Sequence, residues 1–374
     1  MSVPLSQRFT ALDVFRGMTI CFMIIVNTPG GSPSFSPLEH AKWDGFTPTD
    51  LVFPSFMFAV GNALSFVMKK WATMTNSQVV TKILKRTLLI FLLGYLMYWF
   101  PFVKFDESHH LILSPISETR IFGVLQRIGL AYGMAALMLY FLKPRATVII
   151  TILILILYWP VMVYFGDAAD PLSLHGNAVL KLDTWLIGEK HLYGGEGFPF
   201  DPEGLLTTFP SIGNVVAGFL VGSYLQKKGN TYEALAKLLM AGFICFFISY
   251  WWNLGFPINK KLWTSSFVMR TVGLDCMILA CIIYWIDFKN KTKSVYFFQV
   301  FGRNPLPIYL LSEIGVIILF IIRVGDISLF EWIYQNIYAH AGNYIGSLLF
   351  AVSWMLFCWC FGYILDKKKI YLKV

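Results

Sequence analysis

Apolar residues run along this chain in blocks of about twenty, the length a helix needs to cross a bilayer. Ten blocks are read as spans: 11–27, 48–68, 84–101, 121–142, 146–165, 206–226, 235–252, 264–286, 304–323 and 343–365. They nearly exhaust the 374 residues, so no large soluble domain fits between them. The predicted fold is all-α, a polytopic integral membrane helix bundle of about ten transmembrane helices. No internal repeat or low-complexity linker interrupts it, and residues 1–374 are expected to form one transmembrane domain. The longest loop, 166–205, is rich in Gly, Asp and aromatic residues.

Composition supports that reading, with 57% hydrophobic and only 14% charged residues. The net charge of +9 does not point to nucleic acid, because the basic residues fall in short clusters between apolar runs instead of along one face. The first apolar run holds Asp13 and Arg16 with no small-residue cleavage site after it, so it reads as a span and not as a cleavable leader. All six cysteines lie inside apolar runs and read as small buried hydrophobes. Their spacing matches neither a disulfide framework nor a zinc site.

The Lys and Arg residues sort the loops into two sets. One set holds 18: Arg8, Lys69, Lys70, Lys82, Lys85, Arg86, Lys143, Arg145, Lys227, Lys228, Lys237, Lys289, Lys291, Lys293, Lys367, Lys368, Lys369 and Lys373. The opposite set holds 7: Lys42, Lys104, Arg120, Lys181, Lys190, Lys260 and Lys261. The bias predicts both termini in the cytoplasm. It places the loop around residue 40, the 166–205 loop and PINKKLW (257–263) outside.

Polar residues in or beside spans are costly and mark candidate sites. Asp13 and Arg16 share a helix face, either as a structural ion pair or facing a cavity. Asn27 ends the first span, as a helix cap or as a group reaching the next loop. Arg127, Arg270, Asp275 and Glu313 lie within later spans. His109, His110, His175, His191 and His340 read as loop histidines. His40 differs, because aromatic and apolar neighbours surround it and a proline-broken span carrying Asp50 and Pro54 follows. A histidine near its ordinary pKa of about 6.5 suits a general base. No metal-ligand spacing involves it.

Seven blocks then occur in order: LDVFRG (12–17), the helix end at Asn27, HAKWDGFTPTDLVFPSFMFAVG (40–61), RIFGVLQRIG (120–129), DPEGLLTTFPSI (201–212), PINKKLWTSSFV (257–268) and FGRNPLPIYL (301–310). Through them the chain resembles the heparan-α-glucosaminide N-acetyltransferase family of transmembrane acyltransferases, in a bacterial form lacking the extra N-terminal domain of the lysosomal enzyme. The resemblance implies transfer of acetyl from cytoplasmic acetyl-CoA to the amine of a hexosamine-type sugar on the periplasmic side. It implies His40 as the catalytic histidine, with Asn27 close to it. We expect His40 to act as base and Asn27 as oxyanion donor, or His40 to carry the acetyl group covalently. Arg16, Arg127, Asn214 and Asn304 are candidates for the acetyl-CoA path, since CoA phosphates and a polar arm want such groups. Asp50 is a candidate for acceptor binding. Asp201 and Glu203 either recognise a cationic amino sugar or cap the sixth span.

The partners expected are acetyl-CoA, an amino-sugar acceptor and membrane lipids, with no nucleic acid and no metal; a homodimer is compatible. The expected location is a bacterial inner membrane. The alternatives are an O-acetyltransferase of a surface glycan or lipid-linked sugar, and a secondary sugar transporter. A transporter would place charges at mid-membrane in broken helices, but internal repeats are not seen.

The charge asymmetry is checked by cysteine labelling. In a background without native cysteines, a Lys190→Cys variant should react with an impermeant reagent outside intact cells. A Lys369→Cys variant should be protected.

Overall fold

The structure is a computed structural model that describes residues 10–105 and 110–372. Arg8, His109 and Lys373, each used above, lie outside the described residues. Thirteen α-helices appear among the described residues. They are α1 (Thr10–Asn27), α2 (Pro48–Trp71), α3 (Asn76–Trp99), α4 (Val124–Phe141), α5 (Pro144–Phe165), α6 (Ala178–Ile187), α7 (Leu205–Lys228), α8 (Tyr232–Trp252), α9 (Ser265–Ile283), α10 (Tyr296–Arg303), α11 (Pro305–Ile321), α12 (Leu329–Ile333) and α13 (Asn343–Lys367). One π turn, Tyr284–Phe288, continues α9. Two short antiparallel hairpins accompany them, Val103–Phe105 with Leu111–Leu113 and Arg323–Val324 with Ile327–Ser328.

Eight helices are long and apolar enough to cross a membrane, or up to nine if the bent pair Lys293–Arg303 and Pro305–Ile321 makes one span. The pair bends by 72°. Each of the ten expected blocks is a helix. The third, α3, is long enough, but Lys82, Lys85 and Arg86 dilute its apolar character. The lipid-facing character is plain on α5 and α8, which expose Ile149, Ile152, Ile156, Leu157, Phe243, Phe247 and Trp251. Apolar faces of that extent are stable in hydrocarbon and not in water, and helices satisfy their own backbone groups there. The chain is an integral membrane protein. Of the cysteines, Cys21, Cys276 and Cys358 are buried as expected, whereas Cys281 and Cys360 are exposed on their helices.

The chain divides into two compact units. Among the described residues the first comprises residues 10–38, 225–243 and 274–372, the second residues 39–105, 110–224 and 244–273. In the first, α1 packs on α10 at backbone distance. A Cβ at Gly17 would overlap the Phe298 carbonyl, and one at Gly302 would overlap that of Asp13. The Arg16 guanidinium bridges the same contact, donating from Nε to the Gly302 carbonyl at 2.8 Å and from Nη2 to Asp13 at 2.8 Å. Arg303 pairs with Asp366 at 2.8 Å, and Asp366 also accepts from the Tyr296 and Tyr371 hydroxyls.

The second unit uses the same device between α2 and α7. A Cβ at Gly61 would overlap the Val215 carbonyl, and one at Gly218 would overlap that of Phe58. Small residues permit this close approach of helix backbones in a membrane. Further along α2, Leu64 and Trp71 pack with Val79, Ile83, Tyr132 and Leu139 of α3 and α4.

Because nothing at Gly61 can yield except backbone, Gly61→Leu is expected to cost at least about 1–3 kcal/mol through overpacking. Its thermal midpoint in detergent should drop. Gly194→Ala, where an added Cβ meets nothing within 4 Å, should leave the midpoint unchanged.

Candidate functional site

Asp50 sits in the first turn of α2, fully buried, and four donors converge on it. The His40 ring approaches Oδ1 through Nδ1 at 2.7 Å. Oδ2 accepts from the backbone N–H of Ala41 at 3.2 Å, the N–H of Thr47 at 2.9 Å and the Thr47 hydroxyl at 3.1 Å. The Thr47–Asp50 part is a helix capping box, with Pro48 entering the helix as proline does. The Thr47 hydroxyl also reaches the Glu39 carbonyl at 2.7 Å, closing the loop on itself. With Nδ1–H donated to Asp50, His40 keeps the lone pair on Nε2, and its side chain remains 42% exposed.

A second loop lies against the first. The Lys260 ammonium is 3.0 Å from both His40 ring nitrogens. Asn259 Nδ2 donates to Asp44 at 3.1 Å, the Gly45 N–H donates to the Ile258 carbonyl at 2.8 Å, and the Lys261 ammonium donates to the Lys42 carbonyl at 2.9 Å. Burial pushes the Lys260 ammonium below the ordinary lysine value, while Asp50 and Glu203 pull the other way.

Arg127 enters from the first turn of α4. It is 1% exposed, with its guanidinium over Trp263 at 4.6 Å and over Phe53 at 5.9 Å. Nη2 donates to the Pro202 carbonyl at 2.6 Å and to the Thr207 hydroxyl. Nε and Nη1 are buried with no partner among the described residues. Trp263 Nε1 donates to Asn214 Oδ1 at 3.1 Å, and Asn214 Nδ2 donates to Thr271 at 2.9 Å.

Arg120 holds the acids that precede α7. Nε and Nη2 make a forked pair with Asp201 at 2.8 and 2.7 Å, and Nη2 also reaches Glu203 at 2.7 Å. Tyr98 and Tyr193 sandwich the guanidinium at 4.8 and 4.6 Å. Burial opposes the ionised form of Glu203, but Arg120, Arg127 and Lys260 outweigh it and hold that carboxyl below its usual value. Burial pushes Asp183, on α6, up to about 7. It accepts the Leu205 N–H at 3.1 Å, and its Oδ2 has no partner among the described residues.

Thus α2, α4, α7 and α9 all begin beside this cluster, and His40, Asp50, Arg127, Asn214, Asp201 and Glu203 come together in the second unit. The remaining candidates, Asn27, Arg16 and Asn304, belong to the first. Asn27 Nδ2 donates to Glu313 at 3.3 Å. Arg16 is engaged as described. Both amide atoms of Asn304 hold the segment after α13, Nδ2 on the Ile370 carbonyl at 2.9 Å and Oδ1 on the Leu372 N–H at 3.1 Å. Asp50, Asp201 and Glu203 are filled by donors of the chain itself. The His191 ring meets the Thr119 carbonyl at 2.7 Å, and His175 packs on Phe198. Lys260, Arg120, Asp183 and Trp263 were not among the sequence candidates. The signal for three of them lay in the ordered blocks, as Arg120 heads RIFGVLQRIG and Lys260 and Trp263 lie in PINKKLW. Among the described residues, no group of three or more His, Cys, Asp or Glu side chains is arranged to hold a metal ion.

Membrane-spanning helices that open onto a buried carboxylate, a histidine held against it and clustered cations define a polytopic membrane protein with a polar, ionisable site. The family model described as heparan-alpha-glucosaminide N-acetyltransferase, catalytic, matches residues 8–249, and the chain belongs to that family. It is 26% identical to the heparan-alpha-glucosaminide N-acetyltransferase of Mus musculus over 99% of this chain and 61% of that protein. It is 27% identical to that of Homo sapiens over 99% of this chain and 60% of that protein. The chain therefore spans about three fifths of the length of these curated relatives.

Asp183 generates a pH prediction. Its folded value near 7 lies above the ordinary 3.8, so the folded chain keeps a proton that the unfolded chain gives up. Stability from this group is complete below pH 3.8 and is lost as pH rises through 7. Asp183→Asn should therefore raise the thermal midpoint in detergent at pH 8 and bring no gain at pH 4.

Proposed function

We propose that this chain transfers the acetyl group of acetyl-CoA to the amine of a hexosamine-type sugar across the membrane. The observation that carries the reading is the His40–Asp50 contact of 2.7 Å, which engages Nδ1 and leaves Nε2 as the ring nitrogen not bound to Asp50, at a half-open position. Amide formation needs a base for the amine proton, and Nε2 supplies it. Asp50 holds the ring in the tautomer that leaves Nε2 basic and stabilises the imidazolium that forms, so its role is orientation of His40 in place of direct acceptor contact. Asn27 is assigned as an oxyanion donor by the family resemblance. Asp201 and Glu203, neutralised by Arg120, shape the acceptor side.

Acetyl-CoA is the donor in this reading. The sugar acceptor approaches from the outer side, and both termini are cytoplasmic, following the 18-to-7 basic asymmetry. A bacterial inner membrane suits that arrangement. The helix ends away from His40 support an entry for a polyanion there. Residues 62–90 and 134–150 contain Lys69, Lys70, Lys82, Lys85, Arg86, Lys143 and Arg145 and no Asp or Glu. Arg127 fits the polar arm of the donor through its two unpartnered N–H groups, whereas Arg16 and Asn304 are already engaged by backbone.

General-base catalysis contributes about 10²–10⁴ in rate. His40→Ala should lose at least ~100-fold in kcat by that scale, with thermal stabilisation by acetyl-CoA retained, followed as release of free CoA thiol. A folded His40→Ala enzyme with near-normal kcat would sink the assignment. An acetyl label trapped on His40 without acceptor would establish the covalent route.

A further inference from the structure

We propose that Lys260 is the cationic donor of the reaction at His40, holding the carbonyl oxygen of the acyl donor as that oxygen becomes anionic. The inference rests on the reading of His40 as the base of an acyl transfer. It concerns a residue outside the stretch that the family model matches.

Three observations carry it. The first is position. His40 Nδ1 is taken by Asp50, so the proton is received at Nε2. The Lys260 ammonium lies 3.0 Å from Nε2 and equally far from Nδ1, so it stands beside the nitrogen that receives the proton. The acyl carbon bonds to the same nitrogen whose proton Nε2 accepts, so its oxygen is only two bonds from that nitrogen. An ammonium beside Nε2 is within reach of that oxygen, with three donors on a flexible stem.

The second is charge. Burial, Arg127 and Lys261 hold the Lys260 ammonium below the ordinary lysine value, and Asp50 and Glu203 are the charges that oppose them and favour the ammonium. Arg120 and Arg127 answer Asp201 and Glu203, so Lys260 is left to balance Asp50. A cation that stays in place through the reaction costs no reorganisation when negative charge appears.

The third is the rigidity of the loop that carries it. Trp263 adopts φ +48°, a left-handed conformation that a bulky residue rarely takes. Its N–H donates to the Lys260 carbonyl at 3.0 Å, closing the turn over Lys260. The Trp263 ring is wholly buried between Arg127, Phe53 and Phe267 and is tied to Asn214. Asn259 fixes the other side by accepting the Leu262 N–H at 2.8 Å and donating its own N–H to Thr264 at 3.1 Å. Strain held by so many contacts is characteristic of functional sites, because the strained turn fixes the position of a particular group.

The step balances. The acceptor nitrogen forms a bond to the thioester carbon, and the carbonyl π pair moves onto oxygen, where the Lys260 ammonium donates to it. His40 Nε2 takes the nitrogen's proton. Collapse re-forms the carbonyl and breaks the C–S bond, with the pair leaving on sulfur. Sulfur receives the proton from Nε2, and Lys260 remains an ammonium throughout. The products are the amide and free CoA thiol.

The test uses the full chain in detergent with acetyl-CoA and glucosamine, following CoA thiol release and, separately, thermal stabilisation by acetyl-CoA. Lys260→Met should lower kcat by about 10²–10³, the scale for removing an oxyanion donor, with KM for acetyl-CoA unchanged and stabilisation retained. Lys260→Arg, which keeps the charge and the donors, should restore most of the lost rate. A folded Lys260→Met enzyme with wild-type kcat, or one impaired through KM alone, overturns the proposal. So does failure of Lys260→Arg to recover rate while it still binds acetyl-CoA. A Lys260→Met enzyme that remains active where His40→Ala is dead removes Lys260 and leaves the acetyl-transfer reading standing. Absence of both thiol release and acetyl-CoA stabilisation in the wild type overturns that reading itself.

Discussion

The carboxylate of Asp50 has to be answered from all sides. It is fully buried at the start of a membrane helix, where an unsatisfied charge would cost several kcal/mol. The chain answers it locally, with Ala41, Thr47 and the His40 ring all drawn from the ten residues before it. The loop therefore cannot open without stranding the acid, and the helix cannot start elsewhere without losing its cap. The histidine's orientation follows from the same carboxylate that begins α2. The second loop adds Lys260 on the exposed side, and its own anchors, Asn259 and Trp263, tie it to α7 through Asn214 and to α4 through Arg127.

Close helix contacts complete the support. At Gly61 and Gly218 two backbones meet with no side chain between them. In hydrocarbon there is little hydrophobic drive to bring helices together, so such contacts and buried polar pairs supply the specificity. This explains why α2, which carries the first loop at one end, has so many small and polar buried positions, among them Ser55, Ala59, Gly61, Asn62 and Ser65.

The spans were legible because membrane helices must be apolar along their whole length, and α3 departs only where three cations enter it. His40 was singled out because a histidine before a proline-broken span is an expensive combination. Its pairing with Asp50 was not read, since ten residues of intervening loop give no periodicity that fixes a contact. Asp50 was read as a candidate for acceptor binding, and Asp201 and Glu203 either as amino-sugar recognition or as caps of the sixth span. The structure shows them satisfied by Thr47, His40 and Arg120, partners that only the folded loops bring near. Asn304 was read as a candidate for the acetyl-CoA path, but its amide is occupied by backbone 66 and 68 residues further on. Lys260 was counted only as a charge. Its place against His40, 220 residues away in the chain, depends on a turn whose conformation Trp263 does not favour.

The four helices that begin at the cluster have a consequence for its electrostatic field. Each helix start carries the positive end of its helix dipole, equivalent to roughly half a positive charge. The starts of α2, α4, α7 and α9 thus surround the His40 neighbourhood with fixed positive potential in a medium that screens poorly. That potential makes the density of buried acids there tolerable, and it exists before any ligand arrives. It also persists when a side chain is exchanged, because it belongs to the backbone. A species that gains negative charge at this end of the helices moves downhill in energy as it forms, and one that gains positive charge moves uphill. The backbone therefore favours reactions whose passing state is an anion, whatever molecule receives the group.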